Sequence, residues 1–149
     1  LTRTANWASY TPKWACDSSG NNSTLVIIPG ARGEGLYAGQ ANTTAILAAC
    51  SEAGSAAKTA HAYTFGGYTD WYLPSNAELT LMFQQQATVF PTTQNTGVDY
   101  WSSTEYYVAN PNDWSNQPGV SAYCMNLFNG SGTHAPKYLS MHVRAVRQF

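Results

Sequence analysis

Between residues 66 and 83 the pattern of apolar and polar positions changes period once, sharply, at a proline. Gly66-Gly67 is a turn signal, and residues 68–73 form an aromatic, strand-like run. Pro74 stops that run, because it lacks a backbone donor and restricts the residue before it. Ser75 stands three residues before Glu78, which predicts a capping box: the hydroxyl accepts an amide at the helix start and the carboxylate reaches back. Leu79, Met82 and Phe83 then recur at helical spacing, predicting a short amphipathic helix that ends near Gln86. Capping and packing explain these residue types, so the stretch reads as architecture first.

The same reading extends along the chain. Residues 1–22 are aromatic and turn-rich, with Trp7, Tyr10, Trp14 and the Gly20-Asn21-Asn22 turn signal. Residues 24–28 are a short β-branched run, expected to be a buried strand stopped by Pro29-Gly30. Residues 32–39 form a glycine-spaced loop without the Lys-Ser/Thr of a phosphate loop. Asn42 or Thr43 is expected to cap a helix on which Ala45, Ile46, Ala49, Cys50 and Ala53 share a face, with Gly54 stopping it. From Pro91 onward Asn, Ser, Gly, Thr and Tyr dominate. Strand signals follow at 100–103, 122–128 and 141–146, with a long irregular connection at 106–120. Two helices followed by a strand-and-loop half predict a single α+β domain over residues 1–149.

Composition narrows the function classes. The chain has 149 residues, of which 10% are charged and 13% aromatic, and a formal net charge of −1. It is long enough for one sizeable core, and it lacks the basic excess of a nucleic-acid binder. No apolar run approaches the roughly 20 residues of a membrane span, and no signal-peptide pattern is present. The opening Leu1-Thr2-Arg3 reads as that of a mature domain or a fragment. Cys16, Cys50 and Cys124 form no CxxC pair, and no histidine stands at metal-ligand spacing from them, so no metal or cofactor is expected. Three pairings, or none, are open; Cys16–Cys50 is the first choice, because Cys50 falls in a helical pattern and Cys16 beside a strand signal.

Catalytic groups are not expected. Glu78 is assigned to its capping box. Asp70 and Asp99 lack any supporting motif as a carboxylate pair, and no nucleophile signature surrounds His61, His134 or His142. The charge layout says more. After Asp113 there is no Asp or Glu, while Lys137, Arg144 and Arg147 remain, with His134 and His142 among them. Such asymmetry can steer an anionic partner. Lys137 sits in a Pro-flanked loop and is expected to be exposed. Arg144 and Arg147 lie three apart in a strand signal, so one of them is a candidate buried partner for Glu105 or Asp99.

GGYTDWYLPSNAEL, at residues 66–79, resembles the core motif of the Legionella collagen-like protein C-terminal domain family, a bacterial surface and phage-tail module. Tyr100-Trp101-Ser102-Ser103-Thr104-Glu105 and Val143-Arg144-Ala145-Val146-Arg147 match in order, and Gly39-Gln40-Ala41-Asn42-Thr43 fits the entry to the first helix. The resemblance covers roughly residues 30–149. It implies a C-type-lectin-like fold, with two helices on small antiparallel sheets and long loops in the C-terminal half. It also implies an extracellular, non-enzymatic adhesin head that binds sulfated glycosaminoglycans as a homotrimer on a collagen-like stalk. Lys137, Arg144, Arg147, Arg32, His134 and His142 are then the candidate ligand-binding residues. A phage-tail or variable tip with a protein ligand is the alternative, carried by the Asn/Ser/Tyr/Gly-rich residues 95–138. An enzyme of the formylglycine-generating type is a second; it needs a late cysteine pair, and only Cys124 lies late. Asp99, Asn110, Asn112 and Asp113 are hard oxygen donors, yet the Glu-Pro-Asn triplet of calcium-dependent lectins is absent, so turn formation is the expected role.

Overall fold

The predicted capping box sets the framework of the fold. In the computed structural model, which describes residues 11–16, 26–50, 54–85, 97–107 and 119–148, Ser75 Oγ accepts from the Glu78 amide at 3.3 Å. Glu78 Oε2 accepts from the Ser75 amide at 2.7 Å. The helix that follows runs Asn76–Gln84 and buries Leu79 and Met82. Among the described residues it is the third of three α-helices: α1 is Ala38–Ala49, α2 is Ala56–His61 and α3 is Asn76–Gln84.

The first helix begins four residues before the expected cap. Asn42 and Thr43 lie inside it, buried, and act as tethers. The Asn42 carboxamide brackets Gly33, accepting from its amide at 3.1 Å and donating to its carbonyl at 2.6 Å. The Thr43 hydroxyl accepts from the Leu73 amide at 3.0 Å. Each satisfies backbone groups that burial would otherwise leave unpaired. The actual N-cap is Tyr37, in the left-handed region at φ 69°, its amide donating to Glu78 Oε1 at 3.0 Å. One carboxylate therefore orders the starts of both α1 and α3. The approach is close enough to require Gly39, where a Cβ would run into the Glu78 carboxylate. The second helix was not anticipated; Ser55 caps it by accepting from the Lys58 amide at 3.2 Å.

Three strands, β1 (Asp99–Tyr106), β2 (Ser121–Asn126) and β3 (Gly132–Pro136), form an antiparallel sheet in the order β1-β2-β3. A register shift between Trp101 and Glu105 breaks the β1–β2 ladder. The strand signals at 100–103 and 122–128 correspond to β1 and β2, whereas β3 was not anticipated. The other strand expectations are corrected. Residues 68–73 and 141–146 pair only through single bridges, Phe65–Tyr68, Tyr72–Val146 and Tyr100–His142. Residues 26–28 are irregular, with Val26 and Ile27 exposed and only Ile28 buried. The rest of that segment, most of residues 1–22, Ala53 and most of the 106–120 connection lie outside the described residues.

Residues 11–16 are threaded into the centre. Trp14 is fully buried, and its indole donates to the Ser102 carbonyl at 2.7 Å. The Trp101 indole donates to the Pro12 carbonyl at 3.1 Å. The expected Cys16–Cys50 disulfide then fastens this strap to the end of α1. Closing a loop across 34 residues stabilises by roughly 4 kcal/mol in the chain-entropy picture. Cys124 is a buried free thiol, pushed up to about 12 by desolvation and, secondarily, by Asp99. One core cluster joins Trp14, Ile46, Leu73, Trp101 and Val143 to the alanines of α2. A smaller one joins Leu79 and Met82 to Tyr100, Met125 and Leu127.

Ser75→Ala removes a cap and a donor to the Gly35 carbonyl. It should lower stability by about 0.5–2 kcal/mol, read as the shift in a urea-unfolding midpoint. An unchanged midpoint would mean that the capping box contributes nothing.

Candidate functional site

Glu105, near the end of β1, has no exposed side-chain surface, and three groups from distant segments converge on it. Its carboxylate accepts from the Ile28 amide at 2.6 Å, Arg32 Nε at 3.1 Å and Lys137 Nζ at 2.8 Å. Lys137 also donates to the Val26 carbonyl at 3.0 Å and lies 4.3 Å from the centre of the Trp14 ring. The expectation that Lys137 stands exposed in its loop is therefore corrected: it is buried as the counter-ion of Glu105. Burial lowers its pKa, with Glu105 opposing that shift. Arg32 keeps 31% of its side chain exposed and lies over the Tyr107 ring at 3.8 Å.

Arg144 is buried, and desolvation lowers its pKa to about 10 against the opposing influence of Tyr100 and Tyr63. The carboxylates proposed for it have other partners: Glu105 takes Arg32 and Lys137, and Asp99 accepts from Asn126 Nδ2 at 3.2 Å. Arg147 is half-buried; its Nε and Nη2 each donate to Asp70 at 2.9 Å in a bidentate clasp, and its guanidinium lies 3.6 Å over the Tyr68 ring. His134 stacks flat on Tyr106 at 3.7 Å, and His142 lies beside Tyr100 at 5.6 Å. The six candidate residues are therefore dispersed: Arg32 and Lys137 meet at Glu105, Arg144 and His142 lie by Tyr100, and Arg147 and His134 each sit apart.

Sequence reasoning missed a concave surface beside Arg147. A groove of about 280 Å³ opens between the turn before α1, the exposed side of α3 and the C-terminal segment. Leu36, Tyr37 and Leu81 form its exposed apolar walls, with Tyr72, Glu78 and Arg147 as its polar groups. The Tyr72 hydroxyl donates to Glu78 Oε1 at 3.1 Å. A second hollow on the far side of Leu36 and Leu81 is lined by Glu34, Asn76 and Thr80. Nothing in the local pattern marks Leu36-Tyr37 as exposed, because the turn that presents them depends on Glu78. Among the described residues no cluster of His, Cys, Asp or Glu is placed to hold a metal. Of the proposed calcium donors, Asn110, Asn112 and Asp113 lie outside those residues.

Fold and surface together define a small disulfide-fastened α+β module in which Arg32, Lys137 and Arg147 each face a carboxylate. The chain belongs to the Lcl C-terminal domain family, whose model matches residues 5–147. That membership points to a surface-associated module. No curated protein matches the chain. Among the described residues no helix is long and apolar enough to cross a membrane.

Two outcomes follow from the ion pairs. Lys137→Ala leaves Glu105 buried with only part of its compensation. It should therefore destabilise by about 3–5 kcal/mol, measured by chemical denaturation; a loss below about 1 kcal/mol would mean that the pair is dispensable. The Arg147 hydrogen bond holds the Asp70 carboxyl below its ordinary value of 3.8. A lowered acid stabilises above that value and ceases to as pH falls through its folded-state pKa. The melting-temperature difference between the parent and Asp70→Asn should be constant from pH 5 to about 7 and shrink below about pH 3.8. A difference that grows on acidification would contradict the clasp.

Proposed function

We propose that this chain is the non-enzymatic head of a surface-displayed adhesin, with a C-type-lectin-like arrangement of its helices and sheet. Its ligand is a sulfated polysaccharide such as heparin or a fucoidan-like polymer. The observation that carries this reading is the family match across residues 5–147. The Cys16–Cys50 disulfide supports an extracellular address. Arg32 and Arg147, both partly exposed and each lying over a tyrosine ring, are the cations we assign to the polymer. Lys137 and Arg144 are omitted because they are buried. Each assigned arginine already faces a carboxylate, so a single head attracts a polyanion weakly. Repetition in a homotrimer on a collagen-like stalk would supply avidity.

A protein ligand at a variable tip is the second reading, favoured by the exposed Leu36, Tyr37 and Leu81. The formylglycine-generating alternative lacks its cysteine pair, since Cys124 stands alone in the late chain and is buried.

The test is affinity for immobilised heparin at low and physiological salt. Binding should weaken with salt and fall about fivefold in the folded Arg32→Ala/Arg147→Ala double variant. Salt-independent binding, or a double variant that binds as the parent does, would reject the electrostatic reading.

A further inference from the structure

Tyr37 is the only described non-glycine residue with a positive φ, at 69°. Holding a bulky residue there is strained and persists only where the surroundings over-determine it. Here the Glu78 carboxylate does so through the Tyr37 amide. Tyr37 is 67% exposed, so burial does little to offset the strain. It stands on the wall of the groove facing α3, with Leu81 also lining that groove.

We propose that this groove is a binding site for one neutral pyranose ring, such as the terminal sugar of a glycan. A pyranose presents an apolar C–H face and a rim of hydroxyls. Tyr37, Leu36 and Leu81 supply the apolar surface, and Tyr72, Glu78 and Arg147, the last clasped by Asp70, border it with donors and acceptors. Charge selects against an anion: Asp70 neutralises Arg147 and Glu78 leaves one formal negative charge, so a sulfated ring is disfavoured within the groove itself. Its size suits a small occupant, since about 280 Å³ lies just below the roughly 300–1,000 Å³ of ligand clefts. The walls are pre-formed, because Glu78 fixes the turn at Tyr37, the start of α3 and the Tyr72 hydroxyl together. That preorganisation lowers the cost of binding a small ligand. The groove shares Arg147 with the sulfate-binding reading but does not rest on that reading.

The experiment titrates the isotope-labelled domain with the methyl glycosides of glucose, galactose, mannose and fucose, followed by amide chemical shifts. At least one glycoside should shift the amides of Tyr37 and Leu81 with millimolar affinity, equally at low and physiological salt. Tyr37→Gly keeps a backbone suited to positive φ and removes the ring. It should be as stable as the parent or more so, yet bind the glycoside at least about tenfold more weakly. The proposal is overturned if none of the four glycosides shifts these amides, if Tyr37→Gly binds as the parent does, or if added salt abolishes the shifts. Heparin affinity should be unaltered in Tyr37→Gly, so the two readings fail separately.

Discussion

A charged carboxylate without solvent is expensive unless neighbouring groups replace the water it has lost. Glu105 imposes that requirement on this chain. It fixes the segment entering the 3-10 turn Pro29–Ala31 through the Ile28 amide, the following loop through Arg32, and the residue after β3 through Lys137. Lys137 passes the constraint on to the Val26 carbonyl and the Trp14 ring. Segments with no sequence neighbourhood are thereby held in one arrangement.

Polar tethers also run through the middle of the domain. The space between α1 and β1 is bridged by hydrogen bonds from Asn42, whose carboxamide reaches Gly33 and Ser103, and from Thr104, whose hydroxyl donates to the Gly33 carbonyl at 2.9 Å. Such a network is rigid only when every member is satisfied. Its functional consequence is that the turn at residues 33–37 is held from two sides, by Asn42 behind and Glu78 in front. A surface loop that would ordinarily be mobile can then hold a strained, exposed tyrosine against a groove.

Matched charges shape what this surface can recognise. With Arg147 clasped by Asp70 and Lys137 enclosed with Glu105, the cationic last quarter of the chain is far less cationic as a surface. Attraction for a polyanion then depends on repetition, whereas the Tyr37 groove offers shape and hydroxyl recognition that salt does not screen.

Local signals were legible where their physics is local. Proline, the Ser75/Glu78 spacing and the helical recurrence of Leu79 and Met82 placed α3 almost to the residue, since a capping box needs only a few neighbouring residues. The motif order also pointed to the family. What tertiary structure decided were properties that depend on distant partners. Asn42 looked like a cap and became a tether, because a segment nine residues earlier needed its carboxamide. Residues 68–73 and 141–146 looked like strands but pair only at isolated positions. Lys137 looked exposed, since a lysine in a Pro-flanked loop carries no local sign of a carboxylate 32 positions away. Sequence alone determined the cap, the disulfide preference and the total of charges; only the folded chain decided which charges face water, because burial depends on neighbours that sequence proximity does not specify.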